Sequence, residues 1–169
     1  MADLITVQEY KNAEGITGQK EDQRLDIIVP QVSDLAKRYC GTSFIDHYSS
    51  AKTETITIKD NYTTTIIVSE SPLVAVSSVK ERTGYGESYE TLSTSDYEYY
   101  VDTASDAIIR TNQSGGEKYW ASGVGSVQIE YTAGYASTPS DLKLALFDLV
   151  TYYLKDEHKE RRTIAGATL

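Results

Sequence analysis

The stretch Ile129-Glu130-Tyr131-Thr132-Ala133-Gly134-Tyr135, followed after a short loop by Thr138-Pro139-Ser140-Asp141-Leu142-Lys143-Leu144-Ala145, changes periodicity within a few residues. Val127-Gln128-Ile129-Glu130-Tyr131 alternates apolar and polar side chains, the period of a half-buried strand. Beyond the loop, Leu142, Ala145, Leu146, Leu149 and Tyr153 share one face at helical spacing. Thr138 is placed to cap this helix, Pro139 to open it, and Asp141 to sit near the positive end of its dipole. Lys155, Lys159, Arg161 and Arg162 gather toward its other end.

Upstream of this junction the texture is that of strands. Thr53–Lys59 and Tyr62–Val68 flank Asp60-Asn61 and read as a hairpin. Leu73–Val79 is a third candidate, and Tyr97–Val101 and Ala107–Arg110 are a pair joined by the polar turn Asp102–Asp106. Thr83–Ser88 and Thr111–Ser126 are rich in Gly, Ser and Tyr and read as loops.

At the other end the chain is helical again. Thr6-Val7-Gln8-Glu9 is a capping box, with Ile5 set to staple onto Tyr10 and Gly15 to end the helix. In the second helix Leu25, Ile28, Val32, Leu35 and Tyr39 form a stripe, Gly41 supplies a stop, and Pro30 predicts a kink or break. None of these helices buries its stripe alone. The expected fold is α+β: a small helical bundle of N- and C-terminal helices with an inserted antiparallel β-sheet or barrel. The expected divisions are 1–51 for the N-terminal helices, 52–133 for the β region, 134–162 for the C-terminal helix and 163–169 for a flexible tail.

Composition bounds the function. The chain has 169 residues, a hydrophobic share of 40% and a net charge of −9, which argues against gripping nucleic acid by counterion release. Tyrosine is over-used, 14 against two Phe and one Trp, as suits half-buried interfaces. Cys40 is the one cysteine, so no internal disulfide or thiolate cluster forms; beside a helix-ending glycine it reads as a small buried residue. The N-terminus lacks a signal-peptide pattern and no apolar run reaches membrane-spanning length, so the expectation is a soluble protein made inside the cell.

Reactive groups do not converge. His47 and His158 are far apart and lack partner ligands, and Asp102 with Asp106 brackets a turn rather than a metal. Gly84-Tyr85-Gly86 and Ser114-Gly115-Gly116 lack the Lys-Ser/Thr of a phosphate loop, and Gly123-Val124-Gly125-Ser126 precedes a strand instead of opening a helix. No serine sits in a nucleophile elbow. The residues predict neither an enzyme nor a cofactor.

Three segments together resemble the head-tail connector (adaptor, or head completion) proteins of long-tailed bacteriophages. They are the opening Leu4-Ile5-Thr6-Val7-Gln8-Glu9-Tyr10-Lys11, the helix exit Tyr39-Cys40-Gly41-Thr42-Ser43-Phe44, and the 129–145 stretch, whose Tyr-x-x-Gly-Tyr ending followed by Pro and Asp-Leu-Lys is the most specific. The resemblance implies a virion protein made in the host cytoplasm that forms a dodecameric ring under the portal. Such a ring extends the channel through which genomic DNA passes without specific binding, and offers a landing surface to the tail or a second neck protein. It also implies a C-terminal portal-docking tail, here Arg161, Arg162, Thr163, Ile164 and Ala165 through Leu169. Candidate subunit or neck contacts are Tyr85, Tyr89, Tyr97, Tyr99, Tyr119 and Trp120. The competing readings are another neck or tail-completion protein, or a carbohydrate-binding or decoration module on the β insert.

Overall fold

The computed structural model describes residues 2–155. Among these are three helices, α1 (Val7–Glu14), α2 (Asp22–Cys40) and α3 (Ser140–Leu154), and seven strands: β1 (Lys52–Ile58), β2 (Thr65–Ile67), β3 (Leu73–Glu81), β4 (Glu90–Thr91), β5 (Tyr99–Asp102), β6 (Ala107–Arg110) and β7 (Gly123–Ala133). This is a mixed α+β chain with two antiparallel sheets. Its described residues form two compact units, 2–42 with 137–155, and 43–136.

The helical unit is stitched by polar contacts around a small apolar centre. The capping box forms as expected: Glu9 N donates to Thr6 Oγ1 at 3.1 Å and Thr6 N to Glu9 Oε2 at 2.8 Å. Gly15 and Gly41 end α1 and α2 in the left-handed region. Tyr10 is buried against Phe147, ring centres 6.1 Å apart, while its hydroxyl meets Thr151 Oγ1 at 2.9 Å. Lys143 Nζ reaches Glu9 Oε1 at 2.5 Å, and this bond is the main reason the Glu9 carboxyl lies below its usual range.

Four expectations for this unit change. First, of the kink or break expected at Pro30, the break is absent: α2 runs on through it. The ring removes one backbone donor, costing ~3 kcal/mol. Burial of Leu25, Val29 and Val32 on both sides, at ~1.5–3 kcal/mol each, outweighs it. Second, the buried face is Leu25, Val29, Val32, Ser33 and Lys37, while Leu35 and Tyr39 are exposed. Polar residues enter that face because each finds a partner: Ser33 Oγ accepts from Leu4 N at 3.1 Å and Lys37 Nζ donates to Ala2 O at 2.7 Å. Third, Cys40, the final residue of α2, is exposed. Fourth, Thr138 does not cap α3; Pro139 holds that position, and Thr138 Oγ1 donates to Leu4 O at 2.5 Å.

In the β unit, strand order is β1-β7-β3-β4 in one sheet and β2-β6-β5 in the other. The expected hairpin of Thr53–Lys59 with Tyr62–Val68 is absent: β1 pairs with β7, and β2 with β6. Alternation identifies a strand but not its partner. Asp60 accepts from Tyr62 N at 2.8 Å and Thr63 Oγ1 at 2.9 Å, holding a turn that sends the chain from one sheet to the other. The β5–β6 pair through 103–106 is as expected. Strand β7 is the spine, and its inward Val127, Ile129, Tyr131 and Ala133 join Val79, Ile108, Ile66 and Trp120 in the core.

Candidate functional site

The 131–135 segment is a structural joint. Gly134 has φ +97°, and a Cβ there would collide with the Phe44 carbonyl oxygen. That close approach lets Tyr135 N donate to Phe44 O at 2.7 Å, Gly134 N to Pro72 O at 2.8 Å and Ala133 N to His47 O at 2.9 Å. Tyr131 is fully buried; its hydroxyl donates to Glu54 Oε2 at 2.8 Å and accepts from Glu70 N at 3.3 Å. Burial first, then the bond to Glu54, push its ionisation up to about 12, so it remains a neutral donor.

The candidate tyrosines divide by environment. Tyr85 is exposed and Tyr89 half-buried, and both flank the Arg82 guanidinium at 5.1 and 4.7 Å from their ring centres. Arg82 also donates to Gly125 O at 3.0 Å, Val124 O at 3.1 Å and Tyr85 O at 2.9 Å, so one side chain fixes the 83–89 loop to the start of β7. Tyr97 is exposed in the left-handed region at φ +56°, a conformation unfavourable for a bulky residue by ~1–2 kcal/mol. Tyr99 is half-buried against the core, and its ionisation is raised by burial. Tyr119 is exposed and packs edge-on against Tyr62 at 5.8 Å.

Trp120 corrects its assignment. At 2% exposure it belongs to the core and offers no contact surface. The 111–126 segment folds inward because Trp120 N donates to Thr63 O at 2.9 Å and Ala121 N to Glu81 Oε1 at 2.6 Å. The proposed docking residues, Arg161 to Leu169, lie outside the described residues.

Sequence reasoning missed the ion pair that organises these loops. Arg110, 3% exposed, meets Glu81 at 3.1 Å, with its guanidinium 5.7 Å from the Trp120 ring centre. It also donates to the carbonyls of Glu98 and Thr111, so it pins both the 93–98 turn and the 111–121 segment. The signal was present: Ile108 points inward, so Arg110 two residues on does too, and Val79 places Glu81 likewise. A charge at an inward strand position requires a partner. Among the described residues no His, Cys, Asp and Glu cluster is arranged to hold a metal ion, and no helix is long and apolar enough to cross a membrane.

What remains is a set of scaffolded aromatic surfaces. The sequence matches the model of the family described as "Head completion protein" over residues 3–169. The chain belongs to the head completion protein family. Its role is therefore a structural one, at the head-tail connector or neck. No curated protein matches its sequence. The fold of this head completion protein is similar to a chain in the neck of an empty GTA particle computed with C6 symmetry, at TM-score 0.60 and 19% identity, covering 89% of this chain and 77% of that one. A chain in the neck of a native GTA particle, computed with C12 symmetry, gives TM-score 0.56 and 18% identity, covering 90% and 81%.

Proposed function

We propose that this head completion protein is a non-enzymatic adaptor subunit that closes into a ring beneath the portal of a tailed phage particle. The ring extends the DNA channel, and its other side receives the tail or a second neck protein. The observation that carries this reading is the family match along almost the whole chain, β insert included. The two similar folds, both from GTA necks with rotational symmetry, agree with a ring. A net charge of −9 suits a channel wall that DNA passes without binding. The segment Arg161-Arg162-Thr163-Ile164-Ala165 to Leu169 is the proposed anchor in the portal, a charge-free end after two arginines.

Complementation tests this role. Particles made without the protein are expected as DNA-filled heads and separate tails, rejoined when the full chain is supplied. Deletion of 163–169 is expected to abolish capture by purified heads while the β unit stays folded. Full joining by the deletion variant overturns the anchor, and tailed infectious particles without the protein overturn the adaptor role.

A further inference from the structure

The outer faces of the two sheets differ in chemistry. On the four-stranded sheet the outward rows are Thr53, Glu130 and Ser78, then Thr55, Gln128 and Lys80, as expected of a surface in water. On the three-stranded sheet, Ile66, Ile108 and Val101 face the core, so Thr65-Ile109-Tyr100 forms the alternate row on the other face; Ile67 and Asp102 flank Ala107 in the next row, where Ala107 itself is buried. Ile67 is 71% and Tyr100 59% exposed. At the Arg110 end of this sheet the aromatic surface continues. Trp120 N on Thr63 O brings the exposed Tyr62–Tyr119 pair alongside, and Thr111 Oγ1 on Tyr97 O at 2.6 Å brings Tyr97.

This aromatic face is acidic at its margins. Asp102 lies in the Ile67 row, Asp60 precedes Tyr62, and Glu117 bridges to Thr111. Bonds from the Ser105 hydroxyl and Ala104 N hold the Asp102 carboxyl below its usual range, and those from Tyr62 N and the Thr63 hydroxyl do the same for Asp60. The whole 43–136 unit has thirteen acidic and six basic side chains, so it bears −7 of the chain's −9. Two such units repel face to face.

A complementary face exists on α2. Ile27, at 60% exposure, lies on the side of α2 away from Leu25 and Val29; Leu35 at 41% borders that side, and Tyr39 at 90% lies in the last turn next to the direction of Val32. Arg24 and Arg38 share the Ile27 side with Asp34, leaving it basic among aliphatic and aromatic groups. Arg24 lies 3.8 Å from Glu21 and Arg38 donates to Asp34 O at 3.4 Å, both at the surface, where such contacts exchange readily.

The geometry points to a heterologous self-interface in which the α2 face of one copy (Ile27, Leu35, Tyr39, Arg38) seats on the outward β2-β6-β5 face of the next copy (Ile67, Tyr100, Ile109, with Tyr97). Two different patches meeting head to tail are what a closed ring requires. The exposed tyrosines receive the arginines through their ring faces, and the acidic margin excludes the wrong pairing of β unit to β unit. This inference rests on the ring proposed above and assigns the surfaces that close it.

Cys40 is exposed one residue beyond Tyr39 and serves as a reporter. An equimolar mixture of full-length ¹⁵N-labelled and unlabelled protein, both carrying a maleimide-benzophenone on Cys40, is concentrated, irradiated and digested. Peptides joining heavy to light chains are then mapped, with native mass measured on the same sample. The expected result is an oligomer whose mixed-isotope cross-links fall in 62–67 or 97–119. Ile67→Arg and Tyr100→Arg alter exposed positions, so they should keep the wild-type circular dichroism while assembling only at about tenfold higher concentration. An oligomer whose cross-links fall on the helices alone, or which those two variants leave unchanged, overturns the assigned faces and leaves the ring standing. A chain monomeric at every concentration, with no mixed-isotope cross-links, contradicts both.

Discussion

Gly134 is the residue at which side-chain size alone decides whether the β7 end can join the Phe44 loop. Gly134→Ala places a methyl against a carbonyl oxygen and forces an L residue to φ +97°. The expected loss is ~2–4 kcal/mol of stability, read from the urea midpoint. Arg110→Ala should cost ~3–5 kcal/mol, because it leaves the Glu81 carboxylate uncompensated beside Trp120. The double change Arg110→Met with Glu81→Gln should recover part of that, which a double-mutant cycle in urea measures. Tyr131 gives a signed pH prediction. Its folded ionisation, about 12, lies above the ordinary value of 10.0, so its contribution is complete below pH 10 and fades as pH rises through 12. Alkaline unfolding followed by tyrosinate absorbance should therefore flatten between those values in Tyr131→Phe; an unchanged alkaline limb contradicts the assignment.

Elements were legible where one periodicity ran without competition. The α1 capping box, the β5–β6 hairpin and β7 all follow from local residues, because each signal lies within a few positions. Partner choice was not legible. The Asp60 turn looks like a hairpin turn in sequence, yet β1 and β2 end in different sheets because their inward isoleucines complete a core with distant strands. On α2, apolar content pointed to Leu35 and Tyr39 as buried, but the packed face is turned toward Ser33 and Lys37, which find partners at the N-terminus. For the candidate site, Tyr85, Tyr97 and Tyr119 are exposed, whereas Trp120 is drawn inward by backbone bonds that no local pattern announces. Pro30 tests the balance within α2. Pro30→Ala should restore a backbone donor and stabilise the helix by ~1–3 kcal/mol, seen as a higher Tm; a lower Tm would show that the ring packs specifically.

At the scale of the whole molecule, charge and apolar surface are unevenly divided. The 43–136 unit holds most of the negative charge and most of the exposed tyrosines, whereas α2 shows aliphatic groups among arginines. A monomer gains nothing from such a division; repeated copies joined through unlike faces do. The family match extends to residue 169, so the proposed anchor belongs to the same family pattern as the helices and sheets. The central claim is that this head completion protein forms a ring on the portal. Native mass spectrometry of the full chain with the purified portal of the same particle tests it most directly. One discrete complex with twelve copies per portal ring is expected, the symmetry under which the native GTA neck was computed. Free portal beside unbound protein, at concentrations where both are folded, contradicts it.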